Sequence, residues 1–292
     1  MKASRQVEIG AILLLTAIWG SAFAFIKIAL EAFTPWQLVL ARFIPTIPIF
    51  LWISWRHRDT LLTLTKMEWL KLTIAGLSAT ALYNIALNTG ETRVGAGLAS
   101  LVISLNPAFI IGGAILFRGE KVSKRFFLGA GVSFLGVIIL TLSRNRFGFD
   151  TTALTGVFVI LLCPFSWALY TLLIHDVAKR AGSMAAPAVA VVIGTVLLLP
   201  TYPFTFPDRI PTDIVAWSCV AFLGLASTVI GFSLWSWLLK HRGAARTGMV
   251  VYLNVVWGVF FAWLVLDEVI AWNTILGAAF ILTGVAISRR SS

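Results

Sequence analysis

Apolar runs separated by short polar turns recur along the whole chain, and each is long enough to cross a bilayer as a helix of ~20 residues. The pattern predicts spans near 9–30, 36–55, 69–89, 95–117, 126–143, 153–174, 184–203, 214–239, 246–266 and 272–288. The first run follows Lys2 and Arg5, the charge arrangement of a secretory signal. It reaches from about Glu8 to Leu30, longer than a signal's apolar core, and shows no clear small-x-small cleavage site, so it is read as the first transmembrane helix.

An offset of 148 residues (253 − 105) lays one half of the chain on the other without a gap. Leu105-Asn106 falls on Leu253-Asn254, Glu120 on Glu268, Gly129 on Gly277, Gly136 on Gly284, Gly76 on Gly224 and Trp19 on Trp167. Each half holds five spans, and an odd number of crossings forces the second copy to insert upside down. The expected fold is therefore an all-α integral membrane protein with ten transmembrane helices in two inverted five-helix repeats, residues 1–147 and 148–292. That arrangement is a transporter's.

Composition agrees: 59% hydrophobic residues, 12% charged and a mean hydropathy of +0.93 leave too little polar surface for a soluble globule. Lipid is the expected main partner. A net charge of +11 could suit nucleic acid, but the basic residues sit in short loops between apolar runs. One set of loops carries Lys2, Arg5, Arg56, Arg58, Lys66, Lys71, Arg118, Lys121, Lys124, Arg125, Lys179, Arg180, Lys240, Arg242, Arg246, Arg289 and Arg290. The other carries only Arg93, Arg144, Arg146 and Arg209, a bias that places both termini in the cytoplasm. Cys163 and Cys219 lie inside apolar runs and form neither a disulfide framework nor a metal site. His57, His175 and His241 fall in loops or at helix ends, without a zinc-binding pair, a buried nucleophile and base, or a phosphate-binding loop. No enzyme, metal or cofactor is expected.

Polar side chains inside the spans mark faces turned away from lipid. Thr80, Asn84 and Asn88 recur at four-residue steps and end near Glu91, whereas the matching positions in the second half are Thr228, Phe232 and Ser236. If both stripes face one cavity, its ligand has a polar and an apolar end; interhelical hydrogen bonding is the alternative use. Asn106 and Asn254 form a pair through the repeat, and Pro107 removes an N–H so that a carbonyl near Ile103 is released. Val255 stands where Pro107 would repeat. Trp19, Phe23, Tyr83, Trp167, Tyr170 and Tyr252 add aromatic rings that could stack on a ligand or only pack the core, as could Trp235 and Trp257.

Lys27 and Arg42 are the cations inside the spans. Lys27 is one turn from Glu31 and is expected to pair with it, while Arg42 either holds a substrate carboxylate or fixes helices 2 and 3 through carbonyls and Glu91. Glu120 and Glu268 lie at opposite membrane faces, either as latches that each hold a hairpin closed or as ordinary loop ion pairs. The Gly129/Gly136 and Gly277/Gly284 faces permit close backbone approach, within the monomer or at a homodimer seam.

Trp19-Gly20-Ser21-Ala22-Phe23, Ala41-Arg42-Phe43, the run Gly95 to Leu101 leading to Asn106-Pro107, Gly119-Glu120-Lys121 and Asp267-Glu268 together resemble the EamA-type branch of the drug/metabolite transporter superfamily. The resemblance covers nearly the whole chain. It implies two inverted repeats around a central cavity with alternating access, and a substrate among amino acids and related metabolites, nucleotide sugars, choline-like cations or toxic compounds. The sixth span departs from the pattern: Ser166-Trp167-Ala168-Leu169 lacks the glycine.

The resulting expectation is a bacterial inner-membrane exporter of an amino acid or similar small amphipathic metabolite. Its contacts are Trp19, Phe23, Tyr83, Asn84, Asn88, Asn106, Trp167, Tyr170, Tyr252 and Asn254, with Arg42, Pro107, Glu120 and Glu268 in gating or structural roles. The alternatives are a carrier of quaternary ammonium cations or drugs and a nontransporting membrane interaction protein.

Overall fold

The computed structural model describes residues 5–118, 123–143, 151–206, 210–243, 247–269 and 272–289. Among them no strand occurs, and helices follow one another through the chain. These are α1 (Arg5–Ala29), α2 (Pro35–Arg56), α3 (Lys66–Glu91), α4 (Ala96–Phe117), α5 (Lys124–Ser143), α6 (Thr151–Ala181), α7 (Ala185–Thr205), α8 (Ile214–Arg242), α9 (Tyr252–Leu266) and α10 (Trp272–Arg289). Among the described residues 7 of them, α1 to α4 and α6 to α8, are long and apolar enough to cross a membrane. In α5, α9 and α10 the apolar stretches are shorter: Phe127–Gly136, Tyr252–Leu266 and Ile275–Gly284.

Local sequence sets the ends and breaks of these helices. Thr34 with Gln37 and Thr65 with Glu68 form capping boxes at the starts of α2 and α3, and Asp213 accepts from the Ala216 amide at the start of α8. Pro45 lies in a 3₁₀ turn within α2, Pro200 in another within α7, and α4 is interrupted at Ser104 and Leu105 just before Asn106-Pro107. Two π-helical segments, Leu77–Leu82 in α3 and Leu223–Ile230 in α8, occupy repeat-equivalent places. In each, a side chain bonds the carbonyl five residues back: Asn84 Nδ2 to Ala79 O at 2.7 Å and Thr228 Oγ1 to Leu223 O at 2.9 Å.

Packing pairs recur with the halves exchanged. α1 packs on α9 and α6 on α4; α3 packs on α7 and α2 on α8; α5 packs on α10. A Cβ on Gly76 would strike the Ala190 carbonyl, and one on Gly224 would come within 3.0 Å of the Arg42 carbonyl; Arg42 and Ala190 are themselves 148 residues apart. Gly284 meets Gly129 and Ser133 in the same close manner, so these glycines serve contact between α5 and α10. Gly76→Val is expected to push α3 from α7 and cost about 1–3 kcal/mol, read as a lowered Tm in detergent. An unchanged Tm would show that this crossing yields freely.

The polarity of the packed protein is inverted relative to a water-soluble one. Trp52, Trp55, Leu116 and Phe117 are exposed, while Thr16, Thr80, Asn84, Glu91, Asn106, Ser166, Thr195 and Asn254 are buried. Unpaired polar groups facing hydrocarbon cost several kcal/mol, so their clustering inside marks the functional interior of a multi-pass membrane protein.

Candidate substrate-binding cavity

A central cavity of about 50 Å³ lies where α1, α3, α4, α6, α8 and α9 converge with α2. Trp19, Ala22, Phe23 and Ile26 reach it from one face of α1, and Ala79, Tyr83, Asn84 and Leu87 from one face of α3. Asn106 and Asn254 enter from the two repeat-related helices. This space suits water; an organic solute requires the helices to part.

Arg42 is the cavity's charged side chain and is buried. Its Nε donates to Thr228 Oγ1 at 2.8 Å, Nη1 to Asn84 Oδ1 at 2.9 Å and Nη2 to Ser227 Oγ at 3.0 Å. All three partners are neutral, and they come from α3 and α8 next to the two π-helical segments. A guanidinium has five N–H donors, so two are free of these bonds. Neither Glu91 nor a backbone carbonyl is among these partners, which corrects that part of the sequence expectation: the π segments bring nearer hydroxyl and amide acceptors. Asn106 Oδ1, Asn254 Oδ1 and Trp167 Nε1 are enclosed without a hydrogen-bond partner.

One side of the cavity is aromatic. The Trp19 and Trp167 rings stand edge to face with centroids 5.2 Å apart, and Tyr83, Tyr170, Phe232 and Trp235 surround Trp167 at 4.9–5.5 Å. Trp19 Nε1 donates to Ser227 O at 3.0 Å, which fixes its ring.

Of the expected contacts, Trp19, Phe23, Tyr83, Asn84, Asn106, Trp167 and Asn254 line the cavity. Three lie elsewhere. Asn88, one turn beyond Asn84, donates to Pro35 O at 3.1 Å; Tyr170 is buried behind Trp167 and Phe232; Tyr252 packs with Leu101, Leu105 and Val255. Pro107 is buried just after the interruption in α4. Ser227 was not among the expected contacts, although it is the repeat partner of the lining residue Ala79; of the second-half stripe, Phe232, the partner of Asn84, lines the cavity.

Both ends of the bundle are tied. At one end α9 stops at Asp267, whose φ of 51° turns the chain while the Glu268 amide closes back on Ala262 O at 3.1 Å. Glu268 Oε1 and Oε2 then accept from the Ala96 and Gly97 amides at 2.9 and 3.3 Å. Gly95 has no side chain to cap α4, and the carboxylate takes that place at the positive end of the helix. Lys27 Nζ donates to Glu91 O at 2.6 Å and Val94 O at 3.2 Å; it caps the end of α3 rather than pairing with Glu31, because carbonyls there have no intrahelical N–H donor. Glu120 lies outside the described residues. At the opposite end Arg180 pairs with Glu68 at 2.8 Å and Arg242 with Glu8 at 3.0 Å. An apolar groove of about 750 Å³ runs between α4 and α6, reaching Lys71 and Asp176.

The profile of the EamA-like transporter family matches residues 7–142 and again 154–290. Over 280 residues the chain is 28% identical to an uncharacterized transporter of Bacillus subtilis, YdfC, covering 94% of this chain and 88% of that one. It is 26% identical to a probable terminal-alkyne amino-acid exporter of Streptantibioticus cattleyicolor (99% and 95% covered) and 27% identical to a probable amino-acid metabolite efflux pump of Escherichia coli (94% and 92%). A crystal structure 18% identical in sequence superposes with a TM-score of 0.74 over 98% of this chain and 99% of its own, which establishes the shared fold. With two family segments spanning nearly its whole length, the chain belongs to the EamA-like transporter family.

Proposed function

We propose that the protein is a secondary transporter of the bacterial inner membrane that exports amino acids or related small amphipathic metabolites. In this reading ten helices form two inverted five-helix repeats, both termini are cytoplasmic, and Glu268 closes the outer end. The repeat-exchanged contacts at Gly76 and Gly224 support the inversion.

The observation that carries the substrate class is the polarity of the cavity. Arg42 offers free N–H donors beside neutral partners, and the amide oxygens of Asn106 and Asn254 are unpartnered acceptors. An α-amino acid fits this pairing: its carboxylate meets the guanidinium, its ammonium the amide oxygens, and its side chain the wall of Trp19, Phe23, Trp167 and Phe232. A choline-like cation would face the positive charge of Arg42 with no carboxylate among the described lining residues, so the aromatic wall alone does not favour it. The relatives named as a probable terminal-alkyne amino-acid exporter and a probable amino-acid metabolite efflux pump agree with this reading.

Counterflow in proteoliposomes tests it. Vesicles loaded with unlabelled apolar amino acids are expected to accumulate the labelled compound, and choline-loaded vesicles to accumulate none. Absence of exchange across the full amino-acid panel would overturn the assignment.

A further inference from the structure

Glu91 does not line the cavity, yet it is the one acid buried among the described residues. It is fully buried, and neither carboxylate oxygen has a hydrogen-bond donor. An anion enclosed in this way is costly unless it is paired and hydrogen-bonded. Its nearest cation, Lys27, is held on backbone carbonyls, one of them Glu91's own. The side chain also stands at the C-terminal end of α3, where the helix carbonyls oppose a negative charge. The titratable groups facing it are Lys27 from α1, Tyr83 from its own helix, Cys163 from α6 and Glu268 from beyond α9.

We propose that Glu91 is a proton-binding site whose occupancy sets the Glu268 latch, making export proton-coupled. With its proton in place, Glu91 adds no charge to the junction, and Glu268 keeps its two bonds to the Ala96 and Gly97 amides. When the proton leaves to cytoplasmic water while the outer end is still closed, the new carboxylate repels Glu268 and competes for Lys27 and for the amides at the start of α4. The α3 carbonyls lose their ammonium donor, the cap is weakened, and the outer end opens. A proton taken up from the outer side restores the latch, so one proton accompanies each closure.

This inference rests on the transporter reading, but its test needs no substrate, so the two can fail separately. Hydrogen–deuterium exchange of the Ala96 and Gly97 amides, corrected for intrinsic exchange, is followed in lipid nanodiscs from about pH 5 to about pH 9. Wild-type protection is expected to fall about tenfold, a shift of ~1.4 kcal/mol, as pH rises. Glu91→Gln should stay protected throughout, Glu91→Asp should keep a pH-dependent fall, and Glu268→Ala, which removes the acceptor, should be unprotected at every pH. Cys163→Ala should leave the titration in place. Protection that does not change with pH in the wild type, or a titration that persists in Glu91→Gln or vanishes in Cys163→Ala, would overturn the proposal.

Discussion

Arg42→Gln is expected to lower amino-acid counterflow about 100-fold, equivalent to ~2.7 kcal/mol, the size of a lost charge-assisted hydrogen bond in an enclosed site. Glutamine keeps an amide donor for Asn84, Ser227 or Thr228 but has no charge for a carboxylate. Packing loss alone would depress every solute equally, so the discriminating probe is the amino-acid amide. Wild type should prefer the acid strongly, and Arg42→Gln should treat acid and amide alike. Arg42→Lys should fall between, because an ammonium keeps the charge without the planar fork that reaches three acceptors. A wild type that exchanges acid and amide equally would remove Arg42 from the binding site.

The largest stability effect is expected at Trp167. Its ring is buried and touches Trp19, Tyr83, Tyr170, Phe232 and Trp235, so truncation to alanine opens a hole that rigid neighbours cannot fill. Loss of about 3–5 kcal/mol follows for a large aromatic of this burial. In detergent this corresponds to a Tm roughly 10 °C lower. Trp167→Phe should recover about half, since part of the edge-to-face contact is worth ~1 kcal/mol per ring pair. Leu116→Ala, on an exposed side chain, is the matched control and should leave Tm unchanged. If Trp167→Ala melts with the control, the aromatic cluster is loose and the small central cavity is not its consequence.

Much of this arrangement is written in the repeat. The offset that aligns Trp19 with Trp167 and Asn106 with Asn254 also aligns the contacts of Gly76 and Gly224, whose counterparts Ala190 and Arg42 stand 148 residues apart. Hydropathy finds the 7 helices that are long and apolar enough to cross a membrane for the same reason that lipid selects apolar runs. It is blind to hydrogen-bond register, and so the π segments at Leu77–Leu82 and Leu223–Ile230 leave no trace in it. These segments aim Asn84 and Thr228 at Arg42, which is why the guanidinium's partners could not be read from spacing. Lys27 shows the opposite error: Glu31 is its neighbour in sequence, but the end of α3 is its neighbour in space. Asn88 and Tyr252 carry suitable chemistry at suitable intervals, and only the packing of α2 and α4 against them shows that they face other walls.

The positive charge fixed among neutral neighbours has an electrical consequence. In a polarised membrane the voltage drops across whichever side of the protein is sealed, so moving the seal from one side of Arg42 to the other carries this charge through the field without displacing the side chain. A full traversal is worth about 2.3 kcal/mol per 100 mV. In the alternating-access cycle proposed above, reorientation is thereby sensitive to membrane potential even with a zwitterionic cargo that adds no net charge, and a negative cytoplasm favours the form in which Arg42 communicates with the cell interior.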